Sequence, residues 1–455
     1  MSTAQILPQA FLEQMQQLLG KELNAFTKSL EENTPISIRF NTHKKNVPAN
    51  DADSVPWCPT GKYLKERPIF TLDPSFHGGA YYVQEASSMF LEQALTQSVD
   101  LTQSLHVLDL CAAPGGKSTH LLSLLNKSSL LVSNEVIRSR ASVLSENIQK
   151  WGNSNVIVTN NDPDHFKRLK GFFDVMVVDA PCSGEGLFRK DPDAMKEWSP
   201  ENIDLCWKRQ RRILSDVWPA LKSGGILIYC TCTYNRLENE ENLHWLANEH
   251  GAEFMSLQIN PSWGVTEANE GNIKGYHFYP HHTKGEGFFI SVIRKTSEEE
   301  SIHLKVKNKF LQRPPAKVNE QLSTWVKNYE EKTFLTWKEN ILMMPQAKLV
   351  AMEFIAQHLH IISMGTTVAE VKHNKLIPDH SFALSLDLND EYFPSIQLTK
   401  EQALQYLRKE TLQLSGLQKG FSLASFEGLP LGWANVLDNR INNMYPANWR
   451  IRMAG

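Results

Sequence analysis

Two cysteines stand where covalent chemistry could take place. Cys182 follows an apolar run in Asp-Ala-Pro-Cys-Ser-Gly, residues 179–184, and Cys232 follows another in Tyr-Cys-Thr-Cys-Thr, residues 229–233. A thiolate can add to an electron-poor carbon and form a covalent intermediate, although an ordinary thiol is only a few per cent ionised at neutral pH. Since buried cysteines are common and usually inert, the pair indicates a reactive site only if a ligand-binding element lies beside it.

Zinc binding is the other common use of clustered thiols, and the cysteine spacing does not favour it. The six cysteines stand at positions 58, 111, 182, 206, 230 and 232. They lack paired C-x-x-C spacing and are not joined by a histidine pair at finger spacing, so we expect no metal site. This low density of cysteines predicts free thiols in a reducing compartment, and we expect a cytoplasmic protein.

Composition predicts a globular protein of two to four domains. The chain has 455 residues, 41% of them hydrophobic, and a formal net charge of −3. No apolar stretch reaches the roughly 18 residues of a membrane span, so we expect no membrane partner. The small net charge does not exclude RNA, because local basic patches can bind it while the remaining surface is acidic.

A ligand-binding element is predicted in residues 105–122, LHVLDLCAAPGGKSTHLL. The pattern is typical of a buried strand, a tight loop and a helix that begins near Gly116. Two adjacent glycines remove the side chains that would keep a ligand from the backbone, and the free N–H groups at a helix start favour a negatively polarised group. This loop therefore has the properties of a ligand cradle.

Two nucleotide-binding motifs compete for the same loop. The P-loop pattern G-x-x-x-x-G-K-[ST] matches Gly116, Lys117 and Ser118, but its first glycine would fall on Cys111. The dinucleotide pattern G-x-G-x-x-G also fails, because the glycines here are adjacent. A strand ending in Asp-Leu-Cys before a glycine loop instead resembles the first motif of S-adenosylmethionine-dependent methyltransferases.

The surrounding segment, residues 96–296, alternates strand-length apolar runs with helical patterns, which predicts a doubly wound α/β domain. The candidate strands are 105–110, 130–134, 155–160, 173–179, 225–231 and 287–294. Ligands in such sheets lie at the carboxyl ends of the strands. Glu135 ends the second strand, where a carboxylate can accept hydrogen bonds from a ribose diol. Asp162 follows the third, where it can accept from an amine such as that of adenine.

Several motifs together resemble those of the RNA cytosine-C5 methyltransferases. They are Asp-Leu-Cys-Ala-Ala-Pro-Gly-Gly-Lys (109–117), Asp-Ala-Pro-Cys-Ser-Gly (179–184), Tyr-Cys-Thr-Cys-Thr (229–233) and Tyr-Val-Gln-Glu-Ala-Ser-Ser-Met (82–89). The stretch Glu-Gly-Leu-Phe-Arg-Lys-Asp (185–191) and the pair Pro-His…Gly-Glu-Gly-Phe-Phe (280–289) are similar to the bacterial RsmF-like branch of the RsmB/NOP family. The resemblance covers residues 5–295, and one departure is Cys230, where the family usually has serine.

The resemblance implies an S-adenosylmethionine-dependent enzyme that forms 5-methylcytosine in the 16S rRNA of the small subunit, in the decoding region. Cytosine C5 is a poor nucleophile, so a thiolate must first add to C6. The implied nucleophile is Cys232, Cys182 assists loss of the C5 proton and release of the enzyme, and Asp179 holds the N3 and amino edge of the base. The implied cofactor-binding residues are Cys111, Ala112, Ala113, Pro114, Gly115, Gly116, Lys117, Glu135, Asp162 and Asp179.

We expect three domains. They are an N-terminal α+β RNA-binding subdomain (1–95), a Rossmann-like methyltransferase domain (96–296) and a C-terminal RNA-binding region that ends in a PUA-like domain (310–455). A strand is predicted over residues 35–41, and its polar face, with Arg39 and Asn41, is either solvated or contacts nucleic acid. Residues 340–375 are predicted to form short strands. Because the glycine loop and both acids precede Arg294, a chain ending there should keep cofactor binding.

Other functions stay open on the sequence alone. The enzyme alternatives are a P-loop NTPase and a cytosine-C5 methyltransferase of tRNA or another RNA. The third alternative is a catalytically inactive RNA-binding protein of ribosome assembly. The intact Cys182 and Cys232 argue against this alternative. The expected partner is ribosomal RNA within the small ribosomal subunit, and the expected state is a monomer.

Overall fold

The structure is a computed structural model that describes residues 7–44, 52–300, 304–307, 311–373 and 375–453. The predicted domain limits at residues 1, 310 and 455 lie outside these ranges. Of the helices in the described ranges, none is both long enough and apolar enough to cross a membrane.

The N-terminal part is a helical pair followed by a small antiparallel sheet. Its elements are α1 (Gln9–Leu19), α2 (Leu23–Leu30), β1 (Ile36–Phe40), β2 (Ser54–Val55), β3 (Cys58–Leu64), α3 (Pro74–His77) and β4 (Tyr81–Val83), with the strands in the order β2-β3-β1-β4. The α+β character predicted for this part is confirmed. The single long helix predicted over residues 8–31 is interrupted at Gly20, whose φ of 55° lies in the left-handed region.

The polar face of β1 is buried, which contradicts both sequence interpretations of Arg39 and Asn41. Arg39 is 0% exposed, donates to Gln84 Oε1 (2.8 Å) and Thr119 Oγ1 (2.7 Å), and lies 4.6 Å from the ring centroid of Trp151. Asn41 is also buried and donates to the carbonyl of Trp151 (3.0 Å). These side chains join the N-terminal sheet to the following domain, so neither is available to solvent or nucleic acid.

A ten-stranded sheet forms the centre of the molecule. Its strands are β5 (His106–Asp109), β6 (Leu130–Asn134), β7 (Val156–Thr159), β8 (Phe173–Asp179), β9 (Leu221–Thr231), β10 (Ala252–Phe254), β11 (Thr266–Glu270), β12 (Ile273–Phe278), β13 (Phe288–Lys295) and β16 (Ile361–Met364). Their order is β11-β12-β13-β9-β8-β5-β6-β7-β16, with β10 paired to β13. Strands β7, β6, β5, β8 and β9 are parallel. The strand order reverses between β5 and β8, where sheets of this kind bind ligands.

Helices cover both faces of this sheet. They are α4 (Leu91–Ser98), α5 (Gly116–Leu124), α6 (Arg138–Trp151), α7 (Pro192–Glu197), α8 (Pro200–Val217) and α9 (Glu240–His250). Because successive strand residues point to opposite faces, Val107 packs in the cluster that contains α4, α5 and α6, whereas Leu108 packs with α8 and α9. The predicted Rossmann-like α/β fold is confirmed.

The C-terminal part shares an edge strand with the central sheet. Its further elements are α10 (Ala316–Trp325), β14 (Lys332–Trp337), β15 (Asn340–Pro345), α11 (Leu349–His358), β17 (Thr366–Lys372), β18 (Lys375–Pro378), α12 (His380–Ala383), β19 (Ser395–Leu398), α13 (Lys400–Leu407), β20 (Gly420–Phe426), β21 (Leu429–Val436) and β22 (Ile441–Asn443). Strand β16 pairs antiparallel with β7, and α11 packs on the face that carries α8. The prediction of strands alone over 340–375 is therefore wrong at α11.

Candidate active site

A cavity of about 590 Å³ opens at the carboxyl ends of β5, β6, β8 and β9. This volume lies within the usual range for small-molecule sites. The predicted site residues that line it are Cys111, Ala113, Lys117, Glu135, Asp179, Cys182 and Cys232. Among the described residues, Ala112, Pro114, Gly115, Gly116 and Asp162 are not part of this lining. The fold thus brings both thiols, the glycine loop and two of the acids to one space.

The glycine loop, residues 111–117, is held open by its own backbone and by α6. Gly115 has a φ of 117°, in the left-handed region that favours glycine, and it precedes the start of α5 as the sequence predicts. Helix α6 fixes the loop, because Arg140 donates to the Ala113 carbonyl (2.8 Å) and Asn147 to that of Pro114 (2.8 Å). The loop backbone therefore forms one wall of the cavity.

Glu135 lies where the sequence predicts it, at the end of β6 and in the cavity lining. Its side chain is nearly buried, its Oε1 accepts from the backbone N–H of Ile137 (2.9 Å), and its Oε2 lies 3.5 Å from Arg140 Nη1. Each carboxylate oxygen retains further acceptor capacity. The group is therefore fixed in place and still able to receive hydroxyl donors.

The Asp162 carboxylate caps a short helical turn and pairs with an arginine of α8. Its Oδ1 accepts from the backbone N–H of Asp164 (3.1 Å), which caps a short helical turn, and its Oδ2 lies 3.3 Å from Arg212 Nη2. The next residue, Pro163, lines the cavity, but Asp162 does not. The structure places this carboxylate near the site, and its contact with adenine stays a prediction.

Asp179 is tied to the glycine loop through Lys117. The Lys117 Nζ lies 2.8 Å from Asp179 Oδ2, and the Asp179 side chain retains 37% exposure into the cavity region. Although burial acts in the opposite direction, the Asp179 carboxylate raises the pKa of Lys117. Lys117 thus holds the Asp179 side chain in place, and the oxygens of a carboxylate suit the amino group of a base.

The two thiols are adjacent. Cys182 Sγ and Cys232 Sγ lie 2.9 Å apart, and the backbone N–H of Cys232 donates to Cys182 Sγ (3.3 Å). The hydrogen bond with Cys232 and then burial raise the pKa of Cys182, so this residue stays protonated at neutral pH. Burial also raises the pKa of Cys111 and Cys230. Cys232 thus lies against one thiol, Cys182, that holds its proton.

Buried polar residues behind the thiols were not assigned a role by the sequence reasoning. Three of them are nearly or fully buried, namely Glu185, Asn235 and Glu238. Glu238 accepts from the backbone N–H of Ser183, and Glu185 accepts from the backbone N–H groups of Tyr234 and Asn235. Glu85 and Glu286 line the cavity, and Glu85 Oε1 accepts from the Glu286 backbone N–H (2.9 Å). The available signal was the density of acids and amides around the thiols, in Gly-Glu-Gly after Cys182 and Asn-Arg-Leu-Glu-Asn after Cys232.

Comparison with known proteins identifies three family profiles along the chain. The profile described as "16S rRNA methyltransferase RsmB/F" matches residues 96–294. The profiles for the N-terminal domain of 16S rRNA methyltransferase RsmF and for the methyltransferase RsmF PUA domain match residues 7–86 and 393–451. A protein of Vibrio campbellii named Ribosomal RNA small subunit methyltransferase F is 32% identical over 97% of both chains. The chain belongs to the RsmB/F family of 16S rRNA methyltransferases.

Solved structures agree with this membership. A methyltransferase homologue from Pyrococcus horikoshii is 28% identical, with a TM-score of 0.54 over 63% of this chain and 95% of its own. NSun6 from the same organism, solved with SFG, is 21% identical and shares the fold, with a TM-score of 0.53 over 65% of this chain and 100% of its own. The predicted family, the enzyme class and S-adenosylmethionine as cofactor are confirmed.

The residues of this RsmB/F-family site fit S-adenosylmethionine. The glycine loop contributes Cys111, Ala113 and Lys117 to its wall, and the first turn of α5 begins in this loop at Gly116. Glu135 presents a fixed carboxylate at the end of β6, and Asp179 presents a second one at the end of β8. Backbone N–H groups suit the carboxylate of the cofactor's methionine part, and the acidic side chains suit its hydroxyl and amino groups.

Proposed function

We propose that this chain methylates C5 of a cytosine in 16S rRNA through a covalent bond between Cys232 and C6. The observation that supports this most is the pair of sulfur atoms 2.9 Å apart in the cavity that also contains the glycine loop and Glu135. A methyltransferase that acts on oxygen or nitrogen needs no thiol nucleophile. A thiol nucleophile at the cofactor site is what a carbon of low nucleophilicity requires, and the second thiol beside it can assist the later steps.

The chemistry assigns different roles to the two cysteines. The Cys232 thiolate adds to C6, and the electron pair moves to C5, which then becomes the nucleophile. S-adenosylmethionine, when bound, supplies an electrophilic methyl group on a sulfonium. Afterwards water accepts the C5 proton, the electron pair of that C–H bond forms the C5–C6 double bond, and the bond between Cys232 and C6 breaks, which restores both the aromatic ring and the thiolate. Cys182 lies against Cys232 and assists this second half, when the proton is removed and the enzyme is released.

Asp179 orients the target base in this proposal. Its carboxylate is held by Lys117 at 2.8 Å and lines the cavity together with both thiols. It can accept from the amino group of cytosine and interact with the protonated N3 of the ring during addition. Lys117 therefore connects the cofactor loop with the residue that orients the base.

A groove of about 880 Å³ adjoins the cavity and suits the RNA strand on one side of the target base. It shares Glu85 and Glu286 with the cavity. Its basic side chains are Lys65, Arg67, Arg189, Lys190 and Lys284. On α8, the exposed Arg209 lines the cavity close to both thiols. Basic groups on either side of the reactive cysteines are suited to phosphates that flank a base turned into the cavity.

We further propose the finer features of the substrate and the location. The substrate is 16S rRNA in the assembled small subunit, the protein acts as a monomer, and it acts in the cytoplasm, where the ribosomes are. One chain supplies both thiols, the loop and the acids, so no second copy is needed for the site. We propose a division into three domains with the limits 1–95, 96–296 and 310–455. One strand of the last region, β16, lies in the central sheet of the second.

The test is transfer of a labelled methyl group from S-adenosylmethionine to unmethylated 16S rRNA, with bisulfite sequencing to locate the product. Naked rRNA and assembled small subunits are compared, and tRNA serves as the alternative substrate. We expect 5-methylcytosine in 16S rRNA within the assembled subunit. Methylation of tRNA alone, or of a base other than cytosine, would contradict the proposal.

A further inference from the structure

The two cysteine loops, residues 180–187 and 232–237, are joined by a buried polar cluster that contains Glu185, Asn235 and Glu238. We propose that Asn235 is a positioning residue that fixes the distance between Cys182 and Cys232. In this role it touches neither substrate nor cofactor. The inference rests on the proposed function only in that both thiols serve the same base.

The two carboxylates hold the loops reciprocally. Glu185 belongs to the first loop, and its Oε2 accepts from the backbone N–H groups of Tyr234 (2.9 Å) and Asn235 (3.0 Å) in the second. Glu238 follows the second loop, and its Oε2 accepts from the backbone N–H of Ser183 (3.1 Å) in the first. Glu238 thus holds the residue that follows Cys182, and Glu185 holds the second and third residues after Cys232.

Asn235 connects these two carboxylates. Its Nδ2 lies 2.7 Å from Glu238 Oε1 and 3.1 Å from Glu185 Oε1, and 2.8 Å from Thr233 Oγ1. Its Oδ1 accepts from the backbone N–H of Glu238 (2.9 Å). An amide supplies two N–H donors without a charge, whereas an acid at this position would add a third carboxylate. The residue type therefore suits a junction between two acids.

Because Glu185 and Glu238 are buried, their carboxylates depend on hydrogen-bond donors from the protein. Glu185 and Glu238 are both 0% exposed, and burial raises the pKa of Glu238. A buried carboxylate is costly unless hydrogen-bond donors surround it. Without Asn235, Glu185 keeps Gln14 and Trp198 as side-chain donors and Glu238 keeps Gln210. The two acids lose the one donor that they share, so the loops that they hold can move apart or admit water. Either change alters the separation of the two sulfur atoms.

A matched control is Asn155, which directly precedes β7 at the end of the sheet opposite the cavity. It is also a buried asparagine, and its Nδ2 donates to the Ser129 carbonyl (2.9 Å). This contact involves neither cysteine loop and neither of the two acids. Asn155→Ala should therefore lower stability as Asn235→Ala does, while leaving the sulfur atoms where they are.

The first measurement is the rate at which diamide oxidises Cys182 and Cys232 to an intramolecular disulfide, followed by peptide mass spectrometry on the full chain. In this reaction the two thiols lose two electrons and two protons, which diamide accepts as it becomes a hydrazine. We expect rapid formation in the parent and in Asn155→Ala, and a rate lower by roughly tenfold or more in Asn235→Ala, since small displacements strongly affect reactions between fixed groups. Equal rates in Asn235→Ala and the parent would overturn the proposal.

This readout needs neither RNA nor S-adenosylmethionine, so it decides on the positioning role even if the proposed methyl transfer fails. With 16S rRNA as substrate, Asn235→Ala should lower kcat roughly tenfold or more and leave the Kd of S-adenosylmethionine unchanged. An equal fall of kcat in Asn155→Ala would show a merely structural role. If Asn235→Ala does not fold, Thr233→Val removes one acceptor of the Asn235 amide and should slow disulfide formation to a smaller degree; an unchanged rate would again contradict the proposal.

Discussion

At the scale of single residues, the hydrogen bonds between Cys182 and Cys232 decide which of the two thiols keeps its proton. Cys182 Sγ accepts from the Cys232 backbone N–H and contacts Cys232 Sγ, and the pKa of Cys182 is raised. Cys182 therefore remains a thiol that can donate a hydrogen bond to its neighbour. A thiolate is stabilised by such a donor, so this contact is compatible with the role of nucleophile that the sequence resemblance implies for Cys232.

Glu135 gives the residue-scale prediction for the cofactor. Replacing Glu135 with alanine should weaken S-adenosylmethionine binding by roughly 1.5–3 kcal/mol, because a charged acceptor of the ribose hydroxyls is lost. Calorimetry measures the change. Glu146→Ala is the control, since Glu146 lies on α6 and pairs with Lys150. An affinity that stays the same in Glu135→Ala would contradict the assignment.

At the scale of elements, β1 and α5 are joined through one buried cation. Arg39 donates to Gln84 and to Thr119, and its Nη2 lies 3.5 Å from the Gly116 carbonyl at the start of α5. Burial lowers the pKa of Arg39 to about 10, so the side chain still carries its charge at neutral pH. The N-terminal sheet thus supports the helix that follows the glycine loop.

Arg39→Leu should lower the free energy of unfolding by roughly 2–3 kcal/mol, the loss of one or two hydrogen bonds from a charged donor. S-adenosylmethionine affinity should fall with it, because α5 loses a support next to the loop. Denaturant unfolding and calorimetry measure both. Lys62→Leu, on the neighbouring strand β3, serves as the control, since Lys62 Nζ donates to the Ser54 hydroxyl (2.8 Å) in an exposed contact within the N-terminal sheet. Unchanged stability of Arg39→Leu would refute the role.

At the scale of the whole molecule, the C-terminal part completes the catalytic domain. Strand β16 covers the β7 edge of the central sheet, and Met352, Phe354 and Ile355 of α11 are buried against the face that carries α8. Leu429 of β21 packs with Ile38 and Tyr81 of the N-terminal sheet. The three parts of the chain are therefore joined by apolar contacts.

A chain ending at Arg294 should accordingly have a lower thermal midpoint and bind S-adenosylmethionine more weakly than the full chain. Sequence position alone predicts that such a chain keeps cofactor binding. The structure changes this prediction, because truncation exposes the β7 edge and an apolar surface. Thermal unfolding and calorimetry on both chains provide the test. A truncated chain with the same midpoint and affinity would show that the C-terminal part is dispensable for this site.

Buried histidines predict how stability depends on pH. Burial lowers the pKa of His77 and of His120 to about 4. The unfolded chain takes up these protons near pH 6.5 and the folded chain does not, so the free energy of unfolding decreases as the pH falls from 6.5 to 4, by up to roughly 3 kcal/mol for each residue. The thermal midpoint should therefore be lower at pH 5 than at pH 7.5, and less so in His120→Gln. A midpoint that does not change would contradict the pKa values.

The sequence predicts the local features of the site and misses those that depend on distant contacts. Strand ends and glycine spacing are local signals, and they place Glu135, Asp179 and Cys232 at the cavity. The burial of Arg39 depends on Thr119 and Trp151, which are far along the chain. Likewise, β16 joins a strand some two hundred residues earlier, and Asn235 meets Glu185 only after folding. No periodicity within a short window contains such information.

The most direct test of the central claim compares RNA adducts of single cysteine variants on denaturing gels. Each variant is incubated with S-adenosylmethionine and unmethylated 16S rRNA in assembled subunits. Because addition to C6 precedes methyl transfer, Cys232→Ala should form no adduct and no 5-methylcytosine, whereas Cys182→Ala should accumulate a covalent adduct that fails to resolve. A shifted band with Cys232→Ala and none with Cys182→Ala would reverse the two roles and contradict the account.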